Sequence, residues 1–253
     1  MKNTLKKIIL LLSVTGLLIT CILLTIILNP ILLYASKTTH NNFVVYHNET
    51  LDPHLLTTLD EAEALCKQSE FYNPNLTLDI CLNDGSNYPT LIRALCGRFF
   101  ARGFYNKVVL QGNMDCKNNV VELSGYKWNL PQLLAHEMTH CLQFDKFGIW
   151  KSKPIAAIPN WKWEGYAEYI ARQNADQKEL AYNIQHFIKN DKHTWEITFA
   201  DSTITPREYY NYWNLVKYCL DAKKINYEQL LADTTSEQEI IEAMQQWYKS
   251  TCK

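Results

Sequence analysis

From Ile8 through Leu33 the chain is almost wholly apolar, and only Asn29-Pro30 clearly interrupts it. Lys2, Lys6 and Lys7 precede this run, and no Asp or Glu occurs before Glu49. About twenty apolar residues suffice to span a bilayer, so the run is long enough for a transmembrane helix. Lysines on its amino side place that end in the cytoplasm and the remainder outside. The rival is a cleaved signal peptide, but its apolar core normally covers only about 7 to 15 residues. Leu33-Tyr34-Ala35 is a poor small-x-small cleavage site, and the apolar run continues past Thr20-Cys21, a faint lipoprotein-like pair. The expectation is a single-pass signal anchor over residues 1–36 and an extracytoplasmic domain over residues 37–253, with secretion after cleavage as the alternative.

Export bears on charge and cysteines. Of 25 basic residues, three lie in the leader, which leaves 22 against 26 acidic ones. No basic stripe with interleaved aromatics appears, so nucleic acid is excluded as a partner. Cys66, Cys81, Cys96, Cys116, Cys141, Cys219 and Cys252 follow the apolar run, and an exported domain could pair them as disulfides. Their number is odd and the pairing cannot be deduced. No C-x-x-C occurs, which argues against a zinc ribbon or a thioredoxin-like site. Asn48 and Asn75 open glycosylation sequons.

The chemistry concentrates in His136-Glu137-Met138-Thr139-His140, an HExxH run inside a stretch with helical patterning. Asn129 can cap that helix, Pro131 suits its first turn, and Gly148 supplies a stop. In a helix, His136 and His140 sit one turn apart on one face, where two imidazoles can bind one metal ion. Glu137 projects beside them and can take a proton from water on that metal. Two satisfied histidines on an amphipathic helix would also fit, so a third ligand decides the matter. Cys141 points about 100 degrees around the helix from His140 and reads as a buried small side chain.

Downstream, Asn160 to Arg172 carries Glu164 and Glu168, again four apart, with Gly165 and Ala167 between them. Together the two stretches resemble the gluzincin metallopeptidases, the superfamily of thermolysin and the aminopeptidase-N-like enzymes. The resemblance implies a zincin-like α+β fold: a small mixed sheet packed on the HExxH helix, then a mainly helical C-terminal half. It implies one zinc ion per chain held by His136, His140 and Glu164, with Glu137 as general base and Glu168 orienting the first histidine. The implied substrate is a peptide or protein. In that family an edge strand beside the zinc helix holds the substrate backbone, and Val120 to Ser124 is the segment expected here.

Elsewhere the pattern predicts strands near 42–47, 76–82, 107–111 and 120–123, and helices over 55–69 and 89–101, the latter stopped near Gly103. After Ala171 the chain reads almost entirely helical. Thr205-Pro206-Arg207-Glu208 reads as a capping box opening a helix to about Ala222, Asn226 caps another, and Thr234 to Glu237 caps the last. Tyr209 matches the family's oxyanion-binding tyrosine in position, but the residues after it depart from the family pattern. Tyr210, Tyr212, His186 and His193 compete for that role. The G-x-M-E-N run of the aminopeptidases is missing, since Gln111 to Asp115 shares only Gly and Met. Three readings stay open: an anchored zinc metallopeptidase, a zinc hydrolase of a non-peptide amide or ester, and a catalytically inactive anchored binding domain.

Overall fold

The computed structural model describes residues 2–191 and 193–251 and shows an α+β protein. Helix α1 (Lys2–Leu28) contains 23 residues, Lys6 to Leu28, long and apolar enough to cross a membrane, with none buried against the rest of the chain. At about 1.5 Å per residue such a helix covers the roughly 30 Å of a hydrocarbon core. Pro30, which lacks an amide proton, ends it and starts a 3-10 turn (Pro30–Leu33). Pro30 and Tyr34 are buried in the folded domain. The single apolar run thus does two jobs, a helix clear of the domain up to its last turn, where Ile27 packs, and a packed entry strap after it.

A five-stranded sheet follows, in the order β1 (Ser36–His40), β2 (Phe43–His47), β3 (Leu78–Cys81), β5 (Lys107–Leu110), β4 (Ala101–Phe104). The three central strands are parallel, and β1 and β4 run antiparallel at the two edges. Side chains alternate between faces along each central strand. Phe43, Val45, Leu78, Ile80, Val108 and Leu110 join the main core, whereas Tyr46, Cys81 and Val109 join a second cluster on the opposite face. Helix α2 (Pro53–Cys66) covers the first face, and α3 (Asn87–Cys96) covers the second.

The segment read as a helix over 89–101 is corrected here. Gly97, at φ +86°, donates its amide to Arg93 and stops α3 at Cys96. Few residues but glycine adopt that conformation cheaply. Residues Ala101–Phe104 are then free to pair with β5 as an edge strand.

A three-stranded antiparallel sheet, β6 (Asn113–Asp115), β7 (Val120–Leu123) and β8 (Tyr126–Asn129), leads directly into α4 (Leu130–Phe147). The Asn129 side chain accepts the Gln132 amide at 3.1 Å, Pro131 stands in the first turn, and Gly148 ends the helix at φ +72°. These are the start and stop that the sequence predicts. Helix α5 (Asn160–Ala171) packs on α4 and, on its other side, on α7 (Arg207–Lys217), which runs on as a π-helical turn (Tyr218–Ala222). Gly165 permits that approach, because a Cβ there would sit 2.5 Å from the Tyr212 carbonyl oxygen.

The C-terminal half departs from the all-helical expectation after α6 (Leu180–Lys189). A hairpin of β9 (Glu196–Thr198) and β10 (Ile204–Pro206) precedes α7. The capping box at Thr205 does not form: its hydroxyl is buried without a partner, and Glu208 instead accepts from the Tyr212 hydroxyl. Asn226 caps α8 (Tyr227–Ala232) as expected, whereas Ser236, not Thr234, caps α9 (Glu237–Thr251) through reciprocal bonds with Glu239. Among the described residues Cys66, Cys81, Cys96, Cys116, Cys141 and Cys219 are free thiols, and Cys252 lies outside them.

Candidate metal centre

Helices α4 and α5 bring His136, His140 and Glu164 to one point. The Nε2 atoms of His136 and His140 are 3.2 Å apart, and Glu164 Oε2 lies 3.2 Å from His140 Nε2 and 3.4 Å from His136 Nε2. A tetrahedral ion with bonds of about 2.0–2.1 Å sets neighbouring ligand atoms about 3.3 Å apart. The triangle therefore has the size of one tetrahedral face.

The far sides of both rings bear on which nitrogens carry protons. His136 Nδ1 lies 3.1 Å from Glu168 Oε1, at ion-pair distance though off the line of an ideal hydrogen bond. His140 Nδ1 is 2.8 Å from Gln143 Oε1. The Gln143 amide group is oriented by donating to the Trp163 carbonyl (3.3 Å) and to the Tyr227 hydroxyl (3.0 Å), so its oxygen must face His140. Both Nδ1 atoms face acceptors, which favours the tautomers with the proton on Nδ1. Neutral rings would then aim two bare lone pairs and a carboxylate oxygen at one another with no donor among them. Only a proton or a cation between them resolves that arrangement, so the donor set fits a zinc ion.

The same imbalance perturbs titration. Burial opposes charging of His136, but Glu164 and Glu168 outweigh it and push its pKa up to about 10. Burial likewise opposes ionisation of Glu164, yet His140 and His136 hold it well below the usual carboxylate range. Glu168 is held low by Arg172 and His136 against its own burial. Without metal, His136 is thus protonated at neutral pH, whereas a bound ion requires its neutral form. Zinc binding at pH 7 is expected to release about one proton per chain, and its affinity to rise with pH until His136 would deprotonate by itself. Calorimetry in buffers of different ionisation enthalpy measures this directly, and a buffer-independent heat would contradict it.

Glu137 is buried beside the triangle and accepts the Gly103 amide of β4. Burial raises its pKa, with His136 and His140 pulling the other way. Tyr209 at the start of α7 stacks on the His136 ring, 5.8 Å between centroids and 7° between planes. Trp163 stacks likewise on His140, at 5.9 Å and 8°. Burial and the nearby Glu164, Glu137 and Glu168 raise the Tyr209 pKa, so it stays a neutral donor.

All six residues singled out in the sequence therefore meet, and the competitors of Tyr209 do not. Tyr210 contacts His186 at 3.1 Å beside a separate cavity, Tyr212 donates to Glu208, and His193 is exposed on a loop.

No protein-family model matches the chain, and no curated protein matches it either.

Several supporting residues escaped the sequence reading. Arg172 is buried at the end of α5, where it binds Glu168, reaches Gln132 (3.3 Å), and lies against the rings of Phe199, Trp128 and Trp213. Gln143 and Arg172 follow His140 and Glu168 by three and four residues, so helical spacing alone could have found them. The strand beside the centre also needs correction. Val120 to Ser124 cannot add a substrate strand, because β7 is paired on both sides and Ser124 sits in the β7–β8 turn at φ +56°. The free edge is β4, whose Gly103 lies against α4. A Cβ at Gly103 would lie 2.1 Å from the Glu137 carbonyl oxygen. Gly103→Ala must therefore push β4 from α4, and we expect a loss of about 3 kcal/mol, or a drop in Tm of roughly 10 °C. A calorimetric Tm unchanged from wild type would contradict this packing.

The centre opens into a cleft of about 740 Å³. Residues 98–104 form one wall, and Leu123, Tyr126 and Trp195 line it as well, with the Trp195 indole donating to the Tyr126 hydroxyl at 3.1 Å.

Proposed function

We propose that this chain is a membrane-anchored, zinc-dependent peptidase whose anchor is α1 and whose cleft faces outside the cytoplasm. The observation that carries this reading is the convergence of His136 Nε2, His140 Nε2 and Glu164 Oε2 within 3.4 Å of one another, with Glu137 beside them and a cleft in front. The edge of β4 along that cleft favours an extended polypeptide over a small ester, because its backbone groups other than the Gly103 amide, which Glu137 accepts, can meet a bound strand.

His136, His140 and Glu164 would hold zinc, which when bound supplies a Lewis acid and a water of near-neutral pKa. Glu137 takes the proton of the attacking water and hands it to the leaving amine. The Gly103 amide holds one oxygen of that carboxylate, which fixes its aim through the proton transfer. Tyr209, kept neutral, donates to the substrate oxygen as negative charge develops on it. Gln143 and Glu168 hold the two imidazoles in orientation from behind.

The test is cleavage of casein and of a peptide library by the purified, zinc-loaded full chain, with products read by mass spectrometry. Bonds cut by wild type and left intact by Glu137→Gln support the reading, and no cut by wild type refutes it. Tyr209→Phe should keep its zinc and its KM and lower kcat about 100-fold. A kcat equal to wild type would remove Tyr209 from the mechanism.

A further inference from the structure

We infer that the cleft works at the membrane surface and that its substrates are polypeptides tethered to the same bilayer, an inference that rests on the peptidase reading. The end of α1 is not on a loose linker. The Tyr88 hydroxyl donates to the Ile27 carbonyl at 2.6 Å, the Ser86 hydroxyl to Leu33 at 2.8 Å, and the Tyr34 hydroxyl to Leu82 at 2.8 Å. Three bonds across the strap fix the folded domain to the last turn of the helix.

That attachment lies next to the cleft. Ile27 and Leu33 pack on a small cluster around Tyr34, Tyr88 and Ile92, and so do Phe99 and Phe104, which also line the cleft. The helix end and the cleft wall therefore share one layer of side chains, and a bilayer that holds α1 meets the domain there.

The intervening surface suits lipid. Ile31, Leu32 and Leu95 are about half exposed, although large and apolar. Arg93, Arg98 and Arg102 are exposed in the same stretch of chain as Leu95, and no Asp or Glu occurs between Asp84 and Asp115. These are the only arginines before Arg172, in a chain of net charge -1. Apolar side chains beside uncompensated guanidinium groups match an interface of acyl chains and anionic headgroups. Continuity with α1 selects the bilayer as the occupant of this face. A chain entering the cleft past Arg98 and Arg102 leaves it within a few residues of the membrane.

The test uses the full, zinc-loaded chain in vesicles of phosphatidylcholine with and without phosphatidylglycerol. One peptide sequence is offered in three forms: free, and fused to an apolar helix through a spacer of five or of forty residues. Five residues reach at most about 18 Å, so only a cleft near the surface can use the short tether. We expect the short-tether substrate to be cut at least tenfold faster than the free peptide. Arg93→Glu with Leu95→Asp, both outside the cleft, should abolish most of that advantage while cleavage of the free peptide stays within twofold. Amide exchange of residues 91–104 should slow at least threefold in the anionic vesicles relative to detergent micelles. Cleavage of the free and long-tether peptides without the short-tether one would overturn the inference, as would unchanged exchange. If no peptide is cut at all, the peptidase reading fails, and exchange alone still decides whether this face lies on lipid.

Discussion

Glu137→Gln is expected to bind one zinc per chain and to cleave peptides about 1,000-fold more slowly than wild type. Gln keeps the volume and can still accept the Gly103 amide, so the contact between β4 and α4 survives. It cannot take a proton, so on the proposed mechanism the attacking water would lose its base. The same change should not lower stability. Burial raises the Glu137 pKa, so ionising this carboxyl costs more in the folded metal-free protein than in the unfolded chain. A carboxyl whose folded pKa is raised costs stability as pH rises above its unfolded pKa, and a neutral amide removes that cost. The metal-free variant should therefore melt at or above the wild-type temperature. Zinc titration, steady-state rates and a melting curve check all three statements, and a variant that loses activity together with zinc would place Glu137 among the ligands instead.

Glu164→Ala is expected to retain no zinc after dialysis and to show no cleavage. It removes the one anionic corner of the triangle, leaving two imidazole nitrogens 3.2 Å apart that a single shared proton can satisfy. Zinc should raise the Tm of wild type and leave that of the variant unchanged, because a ligand stabilises only the fold that binds it. Glu168→Ala provides the contrast. Glu168 stands behind His136 rather than at the triangle of donor atoms, so its loss should weaken zinc about 10- to 100-fold without abolishing it. Equal losses in the two variants would show that Glu164 is not the third ligand.

What the sequence revealed here follows from what is local. Helix α4 could be read because Asn129, Pro131 and Gly148 act through bonds within a few residues of themselves. The pairs His136/His140 and Glu164/Glu168 could be read because a helix fixes the i to i+4 relation. That the two helices face each other came only from the gluzincin resemblance. Gly165 accounts for the other side of α5, where α7 comes too close for any side chain.

The misreadings share a cause as well. Apolar residues around Ile92 continue at helical spacing toward Phe99, and nothing local shows that Gly97 rather than Gly103 takes the left-handed turn. Strand β4 is short and holds a glycine, and it forms because β5 offers it a partner. Hairpin β9–β10 has the same origin, with Thr205 drawn into a strand pair rather than a cap. The likeness of Val120 to an edge strand failed because β6 and β8 on its two sides were not visible in the sequence.

Zinc content of the purified wild-type chain, by mass spectrometry after dialysis against metal-free buffer and one round of zinc loading, tests the central claim most directly. The convergence of His136, His140 and Glu164 predicts one zinc per chain, tetrahedral in X-ray absorption with two nitrogen ligands from protein. A chain that holds no zinc under these conditions would contradict the metal centre and everything built on it.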